Sequence, residues 1–244
     1  MRDALRPAVL HRDGMVLVLD KPAGLPVHAG PPAQRRRIPV LTDYLDELRF
    51  GLPRRPEAAH RLDKDTSGCL VLGRHPRATA RLNALFKEGR AEKIYWAVVT
   101  GGPAEEAGVI DLPLGKRDEA RGWWMQVTPG GLPSRTLWRV LGRGQNEGRP
   151  IAFLELRPET GRTHQLRVHC QAMGWPILGD VIYGEGDRFA PPALCLHARR
   201  IGLPLFANKP ALVVTAAPPP PMQAMLRLCG WSPEADAHPP AGAE

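Results

Sequence analysis

Residues 60–68 read HRLDKDTSG and place Asp63 between Arg61 and Lys64, in a chain whose formal net charge is +8. A neighbouring cation keeps a carboxylate ionised and oriented, so Asp63 is either one half of a salt bridge or a working group. Three simple roles fit it: an exposed ion pair, a turn-capping aspartate, or a metal ligand. The metal role is the weakest, because no histidine or carboxylate cluster with ligand spacing surrounds it.

A second constellation, GRTHQLRVH, spans residues 161–169. Arg162 follows a turn and leads into a helix, and the spacing lets Arg162, Gln165 and His169 project together while Arg167 points elsewhere. Free backbone N–H groups and an arginine at a helix start suit an anion. That anion is either a phosphate or the Asp63 carboxylate. His164 and His169 are five apart, so they do not stack on one face as an i, i+4 pair would.

The elements that carry these residues follow from local pattern. MVLVLDKPAGLPVHAG begins as a strand and breaks at Pro22, Gly24 and Pro26. PPAQRRRIP is a loop with three consecutive arginines, Arg35, Arg36 and Arg37, and LTDYLDELRF reads as a short helix. CLVLGR, directly after the Asp63 stretch, is strand-like. HPRATARLNALFKEG has Pro76 at a first helical position, Leu82, Leu85 and Phe86 on one face, and Gly89 as a stop. KIYWAVVTG, GVIDLPLG, WMQVT, TLWRVLG and PIAFLELRP are strand candidates. TGRTHQLRVHCQAMGW turns helical, with Leu166, Cys170 and Met173 on one side and Gly174 ending it. LCLHARRIGLP and PALVVTAAP are closing strands. Strands joined by turns with few helices between them favour an α+β architecture on a mixed, mostly antiparallel sheet.

Composition sets the outer bounds. The 244 residues are 43% hydrophobic and 24% charged, enough to bury a substantial core. A pI near 9.8 points to a polyanionic partner such as nucleic acid. Cys69, Cys170, Cys195 and Cys229 form no C-x-x-C pair, which argues against a zinc ribbon or a disulfide framework. The N-terminus lacks the apolar stretch of a signal peptide, and no run approaches membrane-span length. A reducing, cytoplasmic setting is the expectation.

HRLDKDTSG, KIYWA, TGRTHQLRVH, GDVIYG and LHA, in that order and preceded by DKPAGLPVH, resemble the RluA-type RNA pseudouridine synthase family over roughly residues 10–217. The resemblance implies isomerisation of uridine to pseudouridine within RNA, without cofactor or metal. It implies a pseudouridine synthase fold with flanking helices and a central basic cleft. By motif position Asp63 is the nucleophile, Arg162 its salt-bridge partner, and Tyr95 the ring that stacks on the target uracil. Arg61 fills the space the flipped base leaves, Leu196 packs beneath the uracil, and Thr66 and Ser67 shape the Asp63 loop. Lys21 is placed to touch phosphate, and Thr66, Gln165 and Arg167 complete the expected substrate contacts.

Many relatives carry an N-terminal RNA-binding domain of S4 type. Here the catalytic opening begins by about residue 10, so a stand-alone catalytic domain over residues 1–231 is expected, with a frayed tail over 232–244. The expected partner is RNA, in tRNA or rRNA stem-loops, with no membrane and a monomeric enzyme. Two competing readings are a catalytically silent RNA-binding factor and an aspartate-nucleophile hydrolase acting on a small substrate. Intact Asp63, Tyr95 and Arg162 argue against the first, and the basic charge against the second.

Overall fold

A computed structural model describes residues 2–29, 39–117, 124–187, 190 and 192–234. The arginine run 35–37, and the expected tail from residue 235 onward, lie outside the described residues. The chain divides into two compact units: residues 1–95 with 196–218, and residues 96–195 with 219–244.

In the first unit Ala8–Arg12 (β1), Val16–Lys21 (β2), Glu57–Ala58 (β3) and Ser67–Gly73 (β4) precede the helix Pro76–Lys87 (α1). Glu92–Thr100 (β5) carries the chain into the second unit, and Leu196–Leu203 (β11) and Leu212–Thr215 (β12) return to the first. β2 pairs antiparallel with β1 and β4, while β11 pairs parallel with β4, His197 opposite Ser67 and Ala198 opposite Gly68.

Alternation along these strands makes two apolar faces. Val16, Val18, Cys69, Val71, Ile201 and Leu203 meet Leu82 and Leu85 of α1 on one. Leu17, Leu19, Leu70, Leu72 and Ala198 meet Leu25, Val27, Leu41, Leu48 and Leu62 on the other, where Tyr95 also packs. α1 starts as expected: the His75 side chain accepts from Ala78 N–H and Pro76 stands in the first turn.

The segment expected as a helix at 41–50 instead forms two 3-10 turns, Leu41–Asp43 and Glu47–Arg49. Aspartates compete for the local donors that a helix would organise. Asp43 accepts from Val40 N–H at 3.0 Å, and Arg49 and Arg55 hold Asp46.

The second unit contains Ala107–Asp111 (β6), Leu114–Lys116 (β7), Met125–Val127 (β8), Arg135–Asn146 (β9) and Arg149–Pro158 (β10). Two helices, Gln165–Ala172 (α2) and Pro220–Leu228 (α3), accompany them. β9 pairs antiparallel with both β10 and β6. Among the described residues the fold is therefore α+β, with mixed, mostly antiparallel pairing and three α-helices.

Met173, expected on the apolar side of α2, caps the helix end and is exposed. The sequence reading assigned no element to α3, which starts within a run of prolines. Prolines in a first turn need no N–H partner and do not oppose a helix there. α3 buries Met222 and Leu226, and the chain at its end lies against Gly142 and Gly144 of β9. All four cysteines are buried free thiols, and burial pushes Cys69 and Cys195 up to about 12. Among the described residues, no helix is long and apolar enough to cross a membrane.

Candidate active site

Asp63 sits at the start of a tight turn between β3 and β4, where Thr66 N–H donates to the Asp63 carbonyl at 3.2 Å. The turn is held from three sides. Lys21, at the end of β2, is completely buried on the face it shares with Leu17 and Leu19. Its Nζ donates to the carbonyls of Pro22 (3.0 Å), Leu25 (2.9 Å) and Lys64 (2.9 Å). Gly24 N–H reaches the same Lys64 carbonyl at 2.9 Å.

Burial pushes the Lys21 pKa down to about 7, against the opposing pull of Asp65, Asp63 and Asp20. Three carbonyl acceptors match the three protons of the ammonium form. The expected phosphate contact by Lys21 is thus corrected: its head is enclosed and fully used in clamping the turn. Thr66 is also buried and shapes the turn rather than offering a hydroxyl to substrate.

The second anchor is His60, whose Nε2 accepts from Val71 N–H at 3.0 Å while its ring stacks on Phe86 at 4.4 Å. The third joins Ser67 to His197. His197 Nε2 lies 3.0 Å from the Ala216 carbonyl, so it must donate there, leaving Nδ1 to accept from the Ser67 hydroxyl at 2.8 Å. Both imidazoles are therefore neutral, and burial pulls each pKa down to about 4. Gly68 follows at φ +103°, and a Cβ there would collide with the Ala198 carbonyl. Only glycine lets β4 approach β11 this closely.

Above the turn, Tyr95 lies half-buried on the apolar face that includes Leu62 and Ala198. Burial first, and then the Asp63 charge, push the tyrosine pKa well above its usual value. Leu196 is buried two residues before Ala198 on β11, so strand alternation points it to this same face. Arg61 is exposed. One end of the first unit thus gathers an aspartate, a tyrosine ring and the apolar side chains of Leu62, Leu196 and Ala198.

The second motif folds differently from its helical-wheel reading. α2 begins only at Gln165, after His164 in the left-handed region at φ 53°. Arg162 is exposed before it, with Nε donating to the Pro133 carbonyl at 3.2 Å. Gln165 is buried and saturated. Its Oε1 accepts from Thr160 and from Arg162 N–H, and its Nε2 donates to the Arg135 carbonyl and Thr136. Thr136 in turn donates to His169 Nδ1, and His169 Nε2–H donates to the Leu112 carbonyl. Arg167 forms a buried two-point pair with Asp180 at 2.7 and 2.8 Å. Burial pushes Asp180 up, but Arg167 outweighs that and holds its carboxyl below the usual range.

Substrate contacts by Gln165 and Arg167 are therefore corrected: Gln165 braces the Arg162 loop from inside, and Arg167 ties α2 to the turn at Asp180. His197 and Asp180 were missed as anchors although they stand in LHA and GDVIYG. A buried histidine or aspartate looks the same in sequence as an exposed one. Among the described residues, no three His, Cys, Asp or Glu side chains gather as a metal site would need.

Residues 15–172 match the family model described as RNA pseudouridylate synthase. The chain is 41% identical over 219 residues to an uncharacterized RNA pseudouridine synthase of Zymomonas mobilis, covering 89% of this chain and 95% of that one. It is 34% identical over 203 residues to the ribosomal large subunit pseudouridine synthase C of Vibrio cholerae, covering 81% of this chain but 61% of that protein. Several other relatives are likewise longer, the chain spanning about 60% of their length. Among solved structures, human RNA pseudouridylate synthase domain containing 4 superposes with a TM-score of 0.75 at 28% identity, over 92% of this chain and 94% of that one. With the Asp63 turn, Tyr95 and the GRTHQLRVH loop all inside the matched span, this chain belongs to the RluA-type RNA pseudouridylate synthase family.

Proposed function

We propose that the chain isomerises uridine to pseudouridine in structured RNA, in stem-loops of tRNA or rRNA, with Asp63 as its nucleophile. The supporting observation is the Asp63 turn itself. A half-buried carboxylate stands on a turn whose backbone a buried lysine clamps, and its charge adds to the raised pKa of a tyrosine that can stack on a base. The reaction breaks the N1–C1′ bond, turns the uracil and joins C5 to C1′. The C5 proton leaves and N1 gains one, so nothing is oxidised.

Asp63 supplies the anionic oxygen for this chemistry. Tyr95 keeps its proton at neutral pH, because its pKa is raised. It therefore acts through its ring and as a donor, and the proton at C5 passes to another oxygen. Arg162 serves as the partner that keeps Asp63 ionised, and Arg61 supports the RNA around the extruded base. Extrusion costs a few kcal/mol for a stacked base, so an accessible loop uridine is the favoured target. The ribosomal name of the Vibrio relative makes rRNA a natural first RNA to screen.

The test is Asp63→Asn, which keeps the shape and removes the charge. It should fold, bind RNA at least as tightly as the parent, and release no tritium from RNA labelled at uridine C5. A folded variant that releases tritium at a substantial fraction of the parental rate removes Asp63 as the nucleophile.

A further inference from the structure

A recess opens beside the apolar cluster of the first unit on which Tyr95 packs. It measures about 520 Å³, within the usual range for a small-ligand site. Val27 and Leu41 form its buried floor, and both belong to the apolar cluster that holds Leu62, next to Asp63, and Tyr95. Its rim is polar: His28, Thr42, Arg54, Arg55 and Glu57. Arg55 is already engaged by Asp46. Arg54, His28 and Glu57 are exposed and make no side-chain hydrogen bond or ion pair with any described residue.

An apolar floor with a free guanidinium at its lip matches a nucleotide, whose base is flat and apolar on its faces and whose phosphate is an anion. Glu57 adds discrimination. A carboxylate accepts from the exocyclic amine of adenine, guanine or cytosine, and uracil has none. Uracil offers the carboxylate only its ring N3–H, so the recess favours an amine-bearing base over the one that reacts at Asp63.

We propose that this recess binds one unpaired, amine-bearing nucleotide of the substrate RNA, close in sequence to the target uridine. The base lies over Val27 and Leu41, its amine meets Glu57, and its phosphate meets Arg54. The proposal rests on the reading that the chain acts on RNA. It deepens that reading by giving the enzyme a sequence preference beside the uridine, recognised by a site separate from the Asp63 turn.

The test uses synthetic RNA hairpins with a single loop uridine. The loop nucleotides around it are adenine, cytosine, guanine or uracil, or are replaced one at a time by abasic sites. Binding is measured by fluorescence anisotropy, and turnover by tritium release from C5. Two variants probe the recess at exposed positions: Thr42→Trp, which fills it, and Arg54→Glu, which reverses its charge. Thermal melts establish that both fold.

For the parent, one abasic replacement should weaken binding about tenfold, and uracil there should bind worse than adenine or cytosine. Thr42→Trp should bind the intact hairpin about as weakly as the parent binds the abasic one, with no further loss on the abasic hairpin. Arg54→Glu should weaken all hairpins. A folded Thr42→Trp that keeps the parental preference overturns the proposal, as does a parent indifferent to every loop replacement. If the parent binds with the expected preference but releases no tritium from any RNA, the activity proposal fails and the recess stands.

Discussion

Every arginine of β9 and β10 faces a carboxylate. Arg135 meets Glu159 and Asp111, Arg139 and Arg157 share Glu155, Arg143 meets Glu106, and Arg149 meets Glu185. Around the Asp63 turn the arrangement is reversed. Arg61 and Lys64 are exposed, and their side chains have no ion-pair partner among the described residues. The carboxylate beside them is instead held by a buried turn. Both regions are arginine-rich in sequence, yet one neutralises its charge internally and the other leaves it available to a polyanion. A net charge of +8 is thus not spread evenly in effect. What counts is which cations lack a carboxylate neighbour.

The sharpest way to break the Asp63 turn is at Gly68. Gly68→Ala combines a left-handed φ with a collision against the Ala198 carbonyl. It should destabilise by about 3–5 kcal/mol and abolish activity. Gly161, the glycine of the second motif, has open space around its Cβ position. Gly161→Ala should stay within about 0.5 kcal/mol of the parent. Urea denaturation of the two variants measures the contrast, and equal losses would show that the turn is no more constrained than the Arg162 loop.

Lys21→Met comes next. It leaves three carbonyls without their donor and should cost about 2–4 kcal/mol. Turnover should fall at least tenfold while RNA affinity stays within about twofold, because Lys21 clamps the turn and touches no RNA. A large loss of affinity with normal turnover of the bound RNA would return Lys21 to the phosphate-contact role. A comparable buried pair in the second unit, Arg167 with Asp180, should cost as much when broken.

The third test is pH. His197 and His60 are held neutral, each with its pKa lowered to about 4. The unfolded chain binds their protons near pH 6.5, so acidification favours unfolding. Stability from these groups is fully present above pH 6.5 and is lost as pH falls toward 4, by roughly 3 kcal/mol for His197. His197→Gln should flatten that slope in melts between pH 7 and 4. An unchanged slope would mean that the Ser67 anchor does not depend on a neutral imidazole.

Most elements were legible because their signals are local. Apolar runs rich in β-branched and aromatic residues gave β2, β4, β5, β9, β10 and β11, and Pro76 and Gly89 bracketed α1. What escaped depended on distant partners. α3 forms because Gly142 and Gly144 clear room for the end of its chain, and nothing near residue 220 announces that. At the site, motif order pointed to Asp63, Tyr95 and Leu196. The substrate contacts expected of Lys21, Gln165 and Arg167 were misplaced, because a polar side chain carries no local mark of burial. The carbonyls that enclose Lys21 come from residues 22, 25 and 64, and only folding brings the last of these alongside.

The smallest effects separate the two kinds of arginine most directly. Each phosphate contact to single-stranded RNA contributes about 0.7 to the slope of log affinity against log salt. Arg61→Ala with Lys64→Ala should therefore lower that slope by roughly 1.4, with little change in melting temperature. Arg139→Gln removes a partner of Glu155, which Arg157 still holds at 2.8 Å. Only the arginine of this pair is exposed, and the buried Glu155 keeps Arg157, so the loss of Arg139 should cost little stability and leave the salt slope unchanged. Titrating one hairpin RNA at several salt concentrations with all three proteins gives both slopes in one experiment. Equal slopes for the double variant and Arg139→Gln would mean that β9 meets RNA as much as the Asp63 turn does. The division between internally neutralised and available charge would then fail.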